Sequence, residues 1–227
     1  MSFVQWLRQL NPAWVIETTI TVAAALLCIT FHESCHGLTA LWLGDKTAKN
    51  QGRLSLNPLR HVDIPGLVMM AVFKFGWAKP VPVNMRNFKK PKWGMALTAL
   101  AGPLSNVLLA FLALLFAYGI TTFTGENGIW EYLLLFFFYT AVLSCGLAVF
   151  NLIPIPPLDG SKVLFAFLPE RAYEKLMRYE KYGMILLFVL LFTGTLDAPL
   201  QFLRSGLMNG LSTVALLPYR FFLNISL

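Results

Sequence analysis

The chain has 227 residues, of which 57% are hydrophobic and 13% charged, with a mean hydropathy of +0.64. A soluble globular domain sits nearer about 45–50% apolar and about 25% charged, so the composition excludes an ordinary soluble enzyme and reads as a membrane protein of a few helices with no large soluble part. The net charge of +7 does not point to nucleic acid, because the cations lie between apolar spans, where they report topology.

The first span is about 14–43, WVIETTITVAAALLCITFHESCHGLTALWL. About 20 apolar residues cross a bilayer, so this run leaves room for tilt or protruding ends. The stretch ahead of it, MSFVQWLRQLNPAW, lacks a basic region followed by a small-residue cleavage site and is not read as a cleavable signal. Residues 44–92 are rich in Gly, Pro and Asn. Within them GRLSLNPLRHVD and KPVPVN alternate apolar positions, which predicts short strand-like hairpins at the membrane interface. GLVMMAVF, at 66–73, is apolar but too short to span. A long loop of this kind is usually functional.

The second and third spans are about 94–122 and 130–153, and NLIPIPPLDG breaks the third. PERAYEKLMRYEKYG, at 169–183, predicts an amphipathic helix lying on the membrane surface. The apolar runs 183–196 and 198–217 are one broken span, an interfacial helix or two short spans. The expected fold is thus an all-α polytopic membrane protein. It has a core of three transmembrane helices, further C-terminal helices and a short membrane-associated β-hairpin region in the 44–92 loop. The chain is read as a single membrane-embedded domain, with its core at about 14–165 and C-terminal helices at about 169–223. Cys28, Cys35 and Cys145 lie in apolar runs at no framework spacing and are expected as unpaired thiols.

Lys and Arg crowd the segments 44–92 and 161–182, whereas 121–131 carries only Glu126 and Glu131. By the positive-inside rule the first two are cytoplasmic and the third is outside, in a multi-pass protein of the cell membrane.

His32-Glu33-Ser34-Cys35-His36 is an H-E-x-x-H motif inside the first span. On a helix, positions i and i+4 share a face, so both imidazoles reach one Zn²⁺ at about 2.0–2.1 Å each. Glu33 is rotated about 100° from His32, beside the open coordination site, where it takes a proton from a zinc-bound water. Ionisable groups within a span cost at least a few kcal/mol each and default to a functional reading.

A catalytic zinc needs a third protein ligand. Asp159 is the strongest candidate, because Pro154, Pro156 and Pro157 forbid a regular helix before it. Irregular backbone at membrane depth survives only where it is buried or lines a wet cavity. The plain alternative is that Asp159 caps the helix that follows. His61, Asp63, Cys35 and Asp197 are weaker candidates. Asn106, in AGPLSN of the second span, either bonds across helices or stands near the metal to bind substrate or an oxyanion; packing is the favoured reading.

FHESCH (31–36), AGPLSN (101–106) and NLIPIPPLDG (151–160), in this order on successive spans, resemble the site-2 proteases, the intramembrane zinc metalloproteases. GWAKPVPVN (76–84) is similar to the membrane-associated hairpin of small prokaryotic members. The resemblance implies His32, His36 and Asp159 as ligands of one Zn²⁺ and Glu33 as the catalytic acid/base. It lends weight to Asn106 near the active site and to Asn151 as a structural or substrate-contacting residue. It also implies membrane-embedded segments as substrates, often trimmed first by another protease. No stretch between the core spans is long enough for a PDZ domain, and no C-terminal nucleotide-sensing domains are expected.

Two rivals stand against this. Other multi-span H-E-x-x-H proteases take a downstream glutamate as third ligand, but here Glu170, Glu174 and Glu180 fall in the cationic amphipathic segment. A metal-binding scaffold or transporter has no need of Glu33.

Overall fold

The computed structural model describes residues 12–63, 79–124 and 128–223. Helix α1 (Pro12–Trp42) is followed by one short turn of helix, α2 (Thr47–Asn50). The long helices α3 (Pro91–Phe123) and α4 (Ile129–Asn151) come next. Then follow α5 (Asp159–Ala166), α6 (Glu170–Arg178), α7 (Glu180–Phe192), α8 (Asp197–Leu216) and α9 (Arg220–Leu223).

Among the described residues three helices, α1, α3 and α4, are long and apolar enough to cross a membrane. The last apolar pair, Tyr182–Phe192 and Asp197–Tyr219, passes the same test together but bends by 87° at its break. The amphipathic stretch forms α6 and the start of α7, a shorter helix than the sequence pattern predicts.

The bundle is polar and small inside, apolar outside. His32, His36, Ser105, Asn106, Thr140 and Ser144 are buried, while Leu104, Leu108, Phe116 and Phe138 are exposed. That inversion suits a lipid surround, where no hydrophobic force drives helices together and small residues let backbones approach. Ala24 and Cys28 of α1, Ala99 and Ala110 of α3, and Ala141 and Ala148 of α4 supply this seam. Ser144 Oγ donates to Cys28 Sγ at 3.1 Å across α1 and α4. Helix α8 closes the far side of α3 and α4, with Ala215 packed among Ala113, Leu114 and Ala141. All three cysteines are free.

Among the described residues, which include both stretches read as strand-like, 52–63 and 79–84, no strand forms, and Pro58–Arg60 makes a helical turn instead; residues 64–78 between them lie outside the described residues. Residues 79–84 run as extended backbone without helical turns. They are joined to the preceding segment by Lys79 N–H donating to His61 O at 2.9 Å.

Candidate metal centre and catalytic cavity

Helix α1 carries His32 and His36 one turn apart, so both rings leave the same face, toward α3. They cross edge to face, with centroids 4.5 Å apart. Gly102 of α3 is what lets them fit, because a Cβ there would meet His36 Cε1 and Nε2 and stand 2.6 Å from His32 Cε1. Asp159 arrives from the opposite direction. The proline-rich break ends α4 at Asn151, and α5 restarts with Asp159 in its first turn. Gly160 packs so tightly on the end of α4 that an added Cβ would collide with the Leu152 and Ile153 carbonyls. The side chain of Asp159 is therefore not spent on a cap; the capping position is Leu158.

Three donor atoms converge. His32 Nε2 and His36 Nε2 are 2.9 Å apart, and Asp159 Oδ2 lies 3.2 Å from the first and 3.1 Å from the second. Ligands at about 2.0–2.1 Å around a tetrahedral zinc stand about 3.3–3.4 Å from one another. The triangle is close to one face of that tetrahedron, and two imidazoles with one carboxylate make a borderline-soft donor set of the kind zinc takes. All three residues are buried.

The outer partners fit the same reading. His36 Nδ1 lies 2.7 Å from Thr98 O. A carbonyl can only accept, so Nδ1 carries the proton and Nε2 keeps its lone pair for a metal. His32 Nδ1 lies 3.1 Å from the Asn106 amide nitrogen, while Asn106 Oδ1 is buried without a partner. Turning that amide by 180° sets Oδ1 against a protonated Nδ1 and leaves His32 Nε2 free to ligate.

A cavity of about 340 Å³ opens on the cluster, lined among others by Glu33, Pro80, Val83, Asn151 and Lys162. Glu33 points into it, and its Oε2 accepts a hydrogen bond from Val81 N–H at 2.8 Å. Asn151 also reaches the cavity, with Nδ2 bonded to Leu147 O at 3.0 Å. Asn106 is fully buried behind His32 and is not part of the lining. His61 stands apart, buried with Nε2 on Ser55 O at 2.7 Å. Cys35 bears no ligand atom in the cluster, and Asp197 lines a different cavity, which Arg204 also lines.

The sequence pattern did not single out Lys162, the Thr98 carbonyl or the Val81 amide. Lys162 Nζ lies 3.8 Å from Asp159 Oδ1, and its i+3 spacing from Asp159 was the one available signal. The other two are main-chain groups, which leave no trace in residue identity.

The family profile described as Peptidase family M50 matches residues 119–194, a segment that includes Asn151 and Asp159. A Bacillus subtilis protein named "Putative zinc metalloprotease YwhC" is 40% identical over 178 residues, covering 76% of this chain and 80% of the relative. "Putative zinc metalloprotease Rip2" of Mycolicibacterium smegmatis is 28% identical, covering 82% and 75%. The Mycobacterium tuberculosis protein of the same name is 29% identical, covering 78% and 68%. No solved structure gives a significant match.

Proposed function

The chain belongs to peptidase family M50, the site-2 proteases, and from that membership we propose that this multi-pass zinc metalloprotease hydrolyses peptide bonds in or near transmembrane segments of other membrane proteins. The observation that carries the reading is the convergence of His32, His36 and Asp159 at one wall of a cavity that Glu33 shares.

His32, His36 and Asp159 would hold the zinc. When bound, zinc supplies a Lewis acid that polarises the scissile carbonyl and brings the pKa of a water down toward about 7. Glu33, with one oxygen fixed by Val81 N–H, offers its other oxygen to take the proton of the attacking water. It later delivers that proton to the leaving amine. Asn106 acts from behind, holding the His32 ring in one tautomer and orientation rather than meeting substrate, because it lies outside the cavity lining. Asn151 and Lys162 sit where a substrate backbone would pass. Pro103 has no N–H to give the carbonyl of Ala99, four residues back. Ala99 itself lines the cavity.

A substrate helix must unwind to present a carbonyl, since its backbone groups are already paired. Pairing with main-chain carbonyls of residues 79–84 would replace part of the lost bonds. The excess of Lys and Arg in 44–92 and 161–182 supports a cytoplasmic catalytic mouth in the cell membrane, with 121–131 on the other side. The chain acts as one membrane-embedded peptidase unit. A non-catalytic scaffold or transporter would not require a carboxylate beside the donor triad.

The test is cleavage of a synthetic transmembrane peptide by the purified chain, run alongside metal analysis. Glu33→Gln is expected to abolish cleavage and keep zinc, whereas Asp159→Ala loses the metal. A Glu33→Gln protein that cuts at the full rate refutes the mechanism.

A further inference from the structure

The extended segment Lys79-Pro80-Val81-Pro82-Val83-Asn84 crosses the catalytic cavity, which Pro80, Val81 and Val83 help to line. Val81 is 7% exposed. Its Cγ1 packs 3.2 Å from where a Cβ on Gly37 would sit, next to His36 on α1. From this seat its N–H donates to Glu33 Oε2. Pro80 and Pro82 have no N–H, so Val81 supplies the one main-chain donor between Lys79 and Val83. The prolines also fix their own φ, which makes the segment a stiff strut rather than a loose arm.

The strut is held at both ends. Upstream, Arg53 Nη2 donates to Lys79 O at 2.8 Å and to Pro80 O at 3.2 Å. Downstream, Asn84 N–H donates to Asp45 Oδ2 at 2.7 Å. Asp45 is fully buried, and its other oxygen accepts from Thr47 N, Thr47 Oγ1 and Asn87 Nδ2. Burial would raise the Asp45 pKa, but the bonds from Thr47, Asn84 and Asn87 outweigh it and keep the carboxyl low, so the anchor is ionised at neutral pH. Asp45 touches neither the donor triad nor the cavity lining. Its bonds reach the site only through the 84–87 turn.

We propose that Val81, through its main-chain N–H, is a positioning residue for the general base, and that Asp45 and Arg53 are the tethers that set its register. A glutamate beside an open cavity has three rotatable bonds and two equivalent oxygens. A fixed, charge-assisted bond to Oε2 removes that freedom and turns the other oxygen toward the reacting water. The inference rests on the reading of Glu33 as general base and extends it to groups outside the metal cluster.

The test compares Val81→Pro, which deletes the N–H, with Val81→Ala, which keeps it and removes only the side chain. Purified full-length protein is assayed for zinc content, kcat and KM on the synthetic transmembrane peptide, with Glu33→Gln in parallel. Val81→Pro is expected to keep zinc and KM while kcat falls about 10- to 100-fold, the range for outer-shell partners. Val81→Ala is expected to lose much less. Asp45→Asn keeps the shape but trades the oxygen facing Asn84 N–H for a donor, so it should lower kcat in the same direction with zinc retained. If Val81→Pro fails to fold, this variant decides alone. Equal losses in Val81→Pro and Val81→Ala, or wild-type kcat in Asp45→Asn, overturn the inference. So does a rise in kcat for Val81→Pro, which would make the N–H a brake on the base. An active Glu33→Gln would instead overturn the general-base reading beneath it.

Discussion

Gly102→Ala adds a single methyl group to α3, and the structure places that methyl group inside the ligand cluster. The new Cβ would lie 2.6 Å from His32 Cε1 and closer still to the His36 ring, against 3.4 Å for the near edge of ordinary contact. The deficit on His32 alone is therefore about 0.8 Å. Neither ring can yield freely, because His36 is bonded to Thr98 O and His32 to Asn106. Metal–ligand distances tolerate about 0.2 Å, and a misplacement of about 1 Å at a reacting centre costs on the order of 10²-fold. Zinc affinity, read by competition with a chelator, and kcat/KM should therefore both fall by about two orders of magnitude. Relieving the clash by parting α1 from α3 displaces the same two donors and gives the same result. Gly206→Ala on α8 is the control, since nothing lies within 4 Å of its added Cβ. A Gly102→Ala protein with wild-type zinc affinity and turnover would refute the placement of the histidine pair against α3.

Asn106→Leu should weaken zinc binding about 10- to 100-fold. Asn106→Asp should preserve more of it, because a carboxylate accepts from His32 Nδ1–H as the turned amide does; equal zinc affinity in both variants would contradict an orienting role. Ala141→Leu inserts bulk where α4 meets Ala215 of α8 and should cost about 1–3 kcal/mol by overpacking. A melting temperature in detergent that matches wild type would show that α8 does not pack there.

The sequence was most informative where chemistry and solvent conflict. Two histidines and a glutamate inside an apolar run have no packing rationale, and their i, i+4 spacing determines which face they share. Asp159 was legible for a related reason: prolines at membrane depth must belong to a buried or wet feature. Its alternative role as a helix cap was not separable by pattern, and the structure places Leu158 at the capping position instead. Gly102, in the same AGPLSN stretch as Asn106, is a packing residue, and the object it packs against is the pair of imidazoles. No local pattern carries that information, because the contact joins α1 to α3 across the bundle. The alternation of Val81 and Val83 suggested strands. In the described residues it produces one extended segment, whose prolines leave it few donors for a ladder.

The two polar clusters of the chain obey opposite constraints, and their separation follows from that. The proposed zinc ligands must be dry enough to hold their geometry, and all three are buried. They come from the middle of a continuous helix, where backbone groups are already satisfied, and from the first turn of another, which Gly160 seats tightly on the end of α4. Glu33, on the same helix, and a substrate backbone instead need main-chain partners that the interior of a continuous helix does not supply. Those around the cavity are drawn from interruptions: the Val81 amide, which holds Glu33, from a proline-flanked strut, and Asn151 from the end of α4. A bilayer tolerates such interruptions only where they are buried in protein or line a wet cavity. A single cavity lined by Val81, Asn151 and Ala99 together with the ligand cluster is the arrangement that meets both demands.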